Sequence, residues 1–279
     1  MRPVEGKTVV ITGPTSGIGK EIAIGLAGLG ANLVLGCRDT AAGEGLASEL
    51  GRASRSLPID VVQVDLASRV SIEKFARQIL ERHSRIDVLI NNAAVSRGSQ
   101  PWTKNGDGIE LTFATNVLGY FLTSRLLLPR LRESAPARIV NVASTFASDL
   151  DMNDLQFLSR PFESMKAYAQ SKACDRLLTW ALARRLEGTG VTANAMAPGL
   201  IVDTGLYRHA PPGVMAGLRQ RGGGRTPSDG ADTAVWLASS PDVEGVTGKF
   251  FENRKEIPCS FRNRDVEERL WSICESLAR

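Results

Sequence analysis

The sequence predicts a single α/β domain built on a doubly wound parallel sheet with helices on both faces. Strand-like apolar runs alternate with helix-like segments along almost the whole chain of 279 residues. The strand-like runs are continuously apolar, which is typical of parallel strands buried on both faces. No low-complexity linker or internal repeat divides the chain. We therefore expect residues 1–279 to form one domain.

The first elements are a β-branched run at 8–11, a glycine-rich turn, and a helix with apolar residues at the spacing of one helix face. The same reasoning predicts the rest of the chain in order. Further strands are expected at 32–36, 61–64, 88–90, 138–142, 191–195 and 249–251. Helices are expected from about 40 and at 70–83, 111–131, 164–187, 231–239 and 266–277.

Two long irregular segments, 96–108 and 203–229, interrupt this alternation. In a doubly wound sheet, the loops after the carboxyl ends of the strands surround the ligand crevice. These two segments are therefore the expected walls of a substrate site. Residues 252–279 follow the last predicted strand as a C-terminal extension.

Composition narrows the class of protein. The net charge of +4 comes from 34 basic and 30 acidic residues of interspersed sign, which is weak evidence for nucleic-acid binding. No apolar run is long and uncharged enough to span a bilayer, and the first strand begins too early for a signal peptide. We therefore expect a cytoplasmic protein without membrane contact. The four cysteines lack CxxC spacing and nearby histidines, so free thiols are expected and a metal site is not.

The turn at 12–19 reads Thr-Gly-Pro-Thr-Ser-Gly-Ile-Gly and lies between the first strand and the first helix. Glycines there permit positive φ and close backbone approach, and they direct helix N-terminal N–H groups toward a pyrophosphate. The alternative is a tight strand-to-helix connection without a ligand. The candidate phosphate-binding residues are Gly13, Thr15, Ser16, Gly17, Ile18 and Gly19.

Four further motifs follow this turn in order: Asn91-Asn92-Ala93, Ser144, Tyr168-x-x-x-Lys172 and Pro198-Gly199. Together with the turn they resemble the short-chain dehydrogenase/reductase family, from about residue 7 to at least residue 251. The resemblance implies a Rossmann-type fold and an oxidoreductase that uses NAD(P). Segments 17–21, 37–39, 154–156 and 249–258 resemble the retinol-dehydrogenase-like branch, whose members usually prefer NADP(H). Membrane-bound relatives carry an N-terminal anchor, which is not expected here.

Tyr168 and Lys172 are four residues apart in a helical stretch and therefore project from one face. An ordinary phenol has a pKa of about 10, and a neighbouring ammonium favours the phenolate. The resemblance implies that Tyr168 is the general acid in reduction and the general base in oxidation. It implies that Lys172 also binds the nicotinamide ribose and that Ser144 binds the substrate oxygen. Asn116 matches the asparagine whose backbone holds a water that links the lysine to solvent.

Each of these residues also has an ordinary structural interpretation. A tyrosine and a lysine four apart on a helix are usually a surface pair, and a serine after a strand is usually a turn residue. Their joint occurrence with a phosphate-binding turn favours catalysis.

Nucleotide preference depends on the end of the second strand. Aligned on Gly30-Ala31, the position where NAD-preferring relatives carry aspartate is Cys37, and Arg38 follows it. This favours NADP(H). In the alternative, Asp39 holds the ribose and NAD(H) is used, which the sequence favours less.

The resemblance also assigns the remaining cofactor contacts. Asp65, with Leu66 beside it, matches the residue that holds the adenine amino group, although a helix N-cap is its ordinary role. Asn92 and Ala93 would line the cofactor, with Ala94 where the family usually has glycine. Pro198 and Gly199 would flank the nicotinamide, and the threonine that normally follows is displaced to Thr204.

These inferences predict a reductase that transfers a hydride from NADPH to a bulky, partly anionic ketone or aldehyde, or the reverse reaction on an alcohol. The predicted lid is partly apolar and partly basic, and Trp102 is a candidate either for stacking on a ring or for a hydrophobic plug. Its apolar members are Leu206, Tyr207, Val214, Met215 and Leu218, and its arginines are Arg208, Arg219, Arg221 and Arg225.

Other functions remain open. An NADP(H)-binding redox sensor or scaffold without turnover would share the cofactor motifs, as would a lyase or epimerase on the same scaffold. A homodimer or homotetramer through the helices that contain Asn116 and Tyr168 is the expected assembly.

Overall fold

A computed structural model of the chain describes residues 4–53, 57–201, 204–207, 213 and 224–279. Within these residues the strands form one sheet of eight in the order β3-β2-β1-β4-β5-β6-β7-β8. The first seven pair in parallel and the last pairs antiparallel. The strands are β1 (Thr8–Thr12), β2 (Asn32–Cys37), β3 (Ile59–Gln63), β4 (Val88–Asn91), β5 (Ala137–Val142), β6 (Val191–Ala197), β7 (Phe250–Glu252) and β8 (Lys255–Glu256).

Helices cover both faces of this sheet, which confirms the predicted doubly wound α/β class. One face carries α1, α2 and α7, and the other carries α3, α5, α6 and α8. The helices are α1 (Gly17–Gly28), α2 (Thr40–Ala53), α3 (Arg69–Arg82), α4 (Leu111–Phe113), α5 (Gly119–Glu133), α6 (Ser164–Arg185), α7 (Pro227–Ser239) and α8 (Arg264–Leu277).

The strand sequences explain the two layers. Successive side chains of a strand point to opposite faces, so Val9 and Ile11 of β1 enter one hydrophobic core and Val10 enters the other. All three are fully buried. Because β1 lies between β2 and β4, the chain leaves the sheet in opposite directions on its two sides, and a crevice opens there at the carboxyl ends of the strands.

The predicted continuous helix at 111–131 is wrong in detail. The structure has the short α4, a π-helical turn at Ala114–Leu118, and then α5. In the turn, the Gly119 N–H donates to the Ala114 carbonyl, five residues back. Such turns are frequent at functional sites, and apolar spacing does not reveal them because the residues on both sides remain buried.

The stretch Leu111–Glu133 is the one described helical stretch that is long and apolar enough to cross a membrane by length and composition. In this fold, 78% of its apolar window is buried inside the protein. It packs against α3 and the sheet, as the core helix of a globular domain does.

The predicted loop at 203–229 ends earlier than expected because α7 begins at Pro227. Thr226 caps this helix by accepting from the Asp229 N–H, and the Asp229 carboxylate accepts from the Thr226 N–H in return. Much of the predicted lid lies outside the described residues, including Arg208, Val214, Met215, Leu218, Arg219 and Arg221.

Candidate active site

The glycine-rich turn is fixed to the segment after β4 by close contacts and hydrogen bonds. The Asn92 Nδ2 donates to the carbonyls of Thr12 and Gly13, both at 3.0 Å. A Cβ on Gly13 would lie 2.7 Å from the Ala93 Cβ, and one on Gly19 would lie 2.1 Å from the Gly13 oxygen. Side chains are therefore excluded at Gly13 and Gly19, and the two predicted cofactor segments meet at the crevice.

The N-terminus of α1 fits a bound pyrophosphate. Within the described chain, Ser16 is the N-cap residue, but its side chain does not cap the helix, and the first turn contains no acidic residue. The first N–H groups of the helix, at Gly17, Ile18 and Gly19, are thus not neutralised by the chain's own carboxylates. This is the donor set that an anionic cofactor group requires.

Thr204 lies over the same turn. A Cβ on Gly17 would be 3.3 Å from the Thr204 Cβ. The Thr204 hydroxyl accepts from the Leu206 N–H at 3.3 Å. Thr204 therefore packs on the glycine-rich turn.

The end of β2 carries an exposed cation beside a neutral thiol. Arg38 is exposed, whereas Cys37 is buried, and burial raises the pKa of the Cys37 thiol to about 11. The Asp39 carboxylate accepts from the Ala42 N–H at 3.0 Å at the start of α2. Asp39 therefore acts as a helix-capping residue here. Arg38 is the exposed cation beside it, and the carboxylates of Asp39 and Glu44 also lie near Cys37.

Asp65 and Leu66, the predicted adenine-binding residues, lie just after β3. The N-cap of α3 is Ser68, whose side chain accepts from the Ser71 N–H, so Asp65 does not have the capping role that was its alternative. One Asp65 oxygen accepts from the Ala67 N–H at 3.0 Å and closes a local turn. Leu66 is buried.

The segment after β4 accommodates Ala94, which stands where the family usually has glycine. Ala94 does not have a positive φ, so its methyl group causes no backbone strain. The Asn91 Nδ2 donates to the Ser124 hydroxyl at 2.9 Å and to the Asn141 Oδ1 at 2.8 Å. Asn91 therefore connects β4 to α5 and β5 beneath the site.

Tyr168 and Lys172 come from α6 and lie at the carboxyl end of β5. The Lys172 Nζ donates to the Val142 carbonyl at 3.0 Å and to the Asp175 Oδ2 at 2.8 Å. It lies 5.9 Å from the centroid of the Tyr168 ring. Ser144 follows Val142 by two residues and is half-buried, and its hydroxyl accepts from the Phe146 N–H at 3.0 Å.

Asn116 occupies the π-helical turn and is fully buried. Its Oδ1 accepts from the Val95 N–H at 2.8 Å, and its Nδ2 donates to the Val95 carbonyl and to the Ser171 hydroxyl, each at 3.0 Å. The side chain therefore connects the segment after β4 to α6. Its backbone role toward Lys172 stays a prediction.

Pro198 and Gly199 form the turn after β6, as predicted from the sequence. Gly199 has φ of +80°, and its added Cβ would lie 3.0 Å from the Arg225 Cδ. The Arg225 guanidinium donates to the Pro198 carbonyl at 3.4 Å, to the Asp229 carbonyl at 2.8 Å and to the Asn253 side chain. Arg225 therefore stabilises this turn, and it is not a solvated lid residue.

Trp102 takes the structural role that sequence reasoning left open. It is half-buried, and its Nε1 donates to the Gln156 carbonyl at 2.9 Å. The Gln156 Oε1 in turn accepts from the Glu110 N–H at 3.2 Å. The 96–108 segment is thus fixed to the loop that follows Ser144.

Three apolar side chains near the site are exposed and were not predicted as site residues. Phe146, Met165 and Leu200 are 49%, 47% and 43% exposed. Met165 lies one turn before Tyr168, and Phe146 and Leu200 follow Ser144 and Gly199. Their proximity in sequence to three predicted motifs was a signal that could have identified them.

Comparison with known proteins agrees with this geometry. The family model described as short chain dehydrogenase matches residues 7–212, and the chain belongs to this family. The mouse (Mus musculus) protein named retinol dehydrogenase 14 is 41% identical over 291 residues, covering 98% of this chain and 86% of the relative.

Two solved structures share the fold. An uncharacterised protein from Mycobacterium paratuberculosis has a TM-score of 0.76 at 30% identity, covering 99% of this chain and 95% of that one. The active-site complex of Pseudomonas aeruginosa RhlG with NADP has a TM-score of 0.73 at 30% identity, covering 90% and 97%.

The fold and the site therefore define an oxidoreductase that acts on an alcohol or carbonyl group and belongs to a family that binds a nicotinamide cofactor. Within that family the chain belongs to the retinol-dehydrogenase-like branch, as its sequence motifs predicted.

Proposed function

We propose that the chain transfers a hydride between NADP(H) and a bulky, largely apolar carbonyl or alcohol substrate. The observation that carries this proposal is the position of Lys172. Its ammonium is held at the end of β5, two residues before Ser144, and lies 5.9 Å from the Tyr168 ring. We propose that this acid, the cation that favours its ionised form and the Ser144 hydroxyl act together on one bound substrate.

When bound, the nicotinamide supplies or accepts the hydride. The chain's own residues supply the rest. Tyr168 gives a proton to the substrate oxygen in reduction and removes one in oxidation. Ser144 donates to the same oxygen and stabilises its developing negative charge. Lys172 stabilises the phenolate form of Tyr168. Among the described residues two of its three N–H groups are used, which leaves donor capacity for a ribose hydroxyl.

The preference for NADP(H) over NAD(H) is part of the proposal. Arg38 is exposed at the end of β2, Asp39 caps α2, and Cys37 is neutral. A 2′-phosphate would therefore meet the Arg38 cation, while the Asp39 carboxylate is engaged by the Ala42 N–H. Asp65, Leu66, Asn92, Ala93, Pro198 and Gly199 are proposed to hold the remainder of the cofactor.

The proposed substrate is apolar because of the surface near the motifs. Phe146, Met165 and Leu200 expose apolar area at the carboxyl end of the sheet. The Arg225 guanidinium, in contrast, donates to the carbonyls of Pro198 and Asp229. It is therefore less available to bind an anionic substrate. The name of the mouse relative refers to retinol, so long apolar alcohols and aldehydes are the first compounds to assay.

The test is a screen of apolar aldehydes and ketones that follows NADPH absorbance, with NADH in parallel. We expect Tyr168→Phe to lower turnover by roughly 10²- to 10⁴-fold, because the proton donor is lost, while NADPH binding persists. Lys172→Met should also lose turnover. The matched control is Lys166→Met, on an exposed lysine of the same helix, which should keep it.

The same variants separate an enzyme from a redox sensor or scaffold. A sensor that binds NADP(H) without turnover would show no substrate-dependent NADPH oxidation. In such a protein Tyr168→Phe would leave the affinity for NADPH unchanged. A lyase or epimerase would convert substrate without net change in NADPH. Net oxidation of NADPH that depends on Tyr168 contradicts both alternatives.

Assembly and compartment are also proposals. All four cysteines are free thiols, which supports a reducing compartment such as the cytoplasm.

A homo-oligomer would need a surface other than the full face of α5 and α6. The reason is that α8 packs on α6, and its Trp271 contacts Phe121 of α5.

A further inference from the structure

Asp175 is a buried acid next to the proposed catalytic lysine, and the proposed mechanism does not use it. It lies one helical turn after Lys172 on α6, and its side chain is fully buried. One carboxylate oxygen accepts from the Lys172 Nζ at 2.8 Å. The other oxygen, Oδ1, has no hydrogen-bond partner among the described residues.

The carboxylate lines a cavity of about 50 Å³ between α5, α6 and α8. A cavity of this volume can hold a water molecule, although it is too small for a metabolite. Apolar side chains, including Phe121, Leu178 and Trp271, form most of its wall. The charge of Asp175 is therefore poorly solvated, and its electrostatic effect on nearby groups is little screened.

Titratable and charged groups face Asp175 from three helices, and Lys172 is the cation that pairs with it. These groups are Lys172 and Cys174 on α6, Tyr120 and Arg125 on α5, and Cys274 on α8. Tyr168 lies next to Lys172 and Tyr120. Burial raises the pKa of Asp175 to about 6, and the Lys172 ammonium opposes this rise. Burial also raises the pKa of Tyr120 well above its ordinary value, so this phenol stays neutral.

We propose that Asp175 is a positioning residue for the reaction, which holds the Lys172 ammonium in place and offsets its charge, and thereby sets the pH at which Tyr168 ionises. This inference rests on the proposed function of Tyr168 and Lys172. An ammonium alone favours the phenolate, whereas an ammonium paired with a carboxylate favours it less. Removing the carboxylate charge should therefore make Tyr168 ionise at lower pH.

The test uses the cofactor-free protein, so it does not depend on finding a substrate. Phenolate absorbance at 295 nm is followed through a pH titration of the parent protein and of Asp175→Asn. Subtracting the titration of the matching Tyr168→Phe variant isolates Tyr168 from the other two tyrosines. We expect Tyr168 to ionise roughly one pH unit lower in Asp175→Asn. Asp149→Asn, at an exposed carboxylate in the loop after Ser144, is the matched control and should cause no shift.

Asp175→Asn leaves a buried ammonium without its partner and can fail to fold. The double variant Lys172→Gln with Asp175→Asn removes both charges. If the two charges offset each other, Tyr168 in this double variant ionises close to the parent value. Ionisation a full pH unit higher would mean that Lys172 acts without opposition from Asp175, and the proposal would be wrong.

An unchanged titration in folded Asp175→Asn also overturns the proposal. Where a turnover assay exists, the acid limb of the pH profile for alcohol oxidation should move to lower pH in Asp175→Asn, because Tyr168 is the base. A purely structural role would lower activity without moving this limb. If no substrate is found at all, the proposed function fails, while the absorbance titration still decides the role of Asp175.

Discussion

Arg38 is the residue on which the proposed cofactor preference depends. We expect Arg38→Ala to lower kcat/KM for NADPH by roughly 10- to 100-fold, because one charge-assisted contact with a phosphate contributes about 1.5–3 kcal/mol. The value for NADH should change little. Arg52→Ala, at an exposed arginine on α2, is the control. Equal losses with both nucleotides would show that Arg38 does not read the 2′-phosphate.

Residue types and spacing predicted the motif residues, but they could not predict how residues distant in sequence use their hydrogen bonds. Arg225 is an example, because its bonds to Pro198 and Asp229 depend on where α7 begins. Asp175 was detectable in principle, since a spacing of three from Lys172 on a helix brings the two side chains together. Its burial depends on α5 and α8, which are distant in sequence.

At the scale of elements, the contact between the glycine-rich turn and the segment after β4 gives a prediction with an internal control. Gly19→Ala places a Cβ 2.1 Å from the Gly13 oxygen and 2.4 Å from the Asn92 Nδ2, so the turn must move. Gly28→Ala lies on the same helix and meets no atom within 4 Å. We expect Gly19→Ala to abolish measurable NADPH binding and to lower the melting temperature.

Gly28→Ala should bind NADPH as the parent does and keep or gain up to about 1 kcal/mol of stability. Fluorescence titration with NADPH and thermal unfolding measure both effects. Tight binding by Gly19→Ala would exclude the proposed pyrophosphate site at the start of α1.

Most elements were predictable because parallel strands are continuously apolar and their covering helices have one apolar face. The strands β1, β2, β4, β5 and β6 fall within about two residues of their predicted bounds. The π-helical turn at Ala114–Leu118 was not predictable, since its residues are apolar or buried on every side. The strand β8 has only two exposed residues, Lys255 and Glu256, and therefore no apolar signal.

At the scale of the whole molecule, α8 joins the C-terminal extension to the helix that carries Tyr168 and Lys172. Its Leu270 and Cys274 are fully buried. At its edge, Arg184 and Arg185 pair with Glu268, and Arg184 also pairs with Glu267. This amphipathic helix thus covers part of α6, the helix through which the sequence analysis predicted assembly with a second subunit.

The arginines give α8 a predictable response to acid. Hydrogen bonds from Arg185 and Arg184 lower the pKa of Glu268 to about 2 from its ordinary value of 4.5. A depressed carboxyl pKa stabilises the fold above pH 4.5, and this stabilisation is lost as the pH falls toward 2. The side chain is 42% exposed, so solvent screening limits the contribution to below about 1 kcal/mol.

We therefore expect Glu268→Gln to be slightly less stable than the parent at pH 7, with the difference closing between pH 4.5 and pH 2. Urea unfolding monitored by tryptophan fluorescence measures the difference across this range. Glu275→Gln, at an exposed residue of the same helix, is the control. A gap that is constant with pH would show that the ion pairs do not hold α8.

The packing of α8 on α6 has a practical consequence for detecting ligands. The helix α6 carries the proposed catalytic pair and also the surface on which α8 packs. A bound nucleotide that makes α6 more rigid should therefore make α8 harder for a protease to cut. A brief digestion with and without NADPH would then report occupancy of the crevice through the C-terminal helix α8, before any substrate is known.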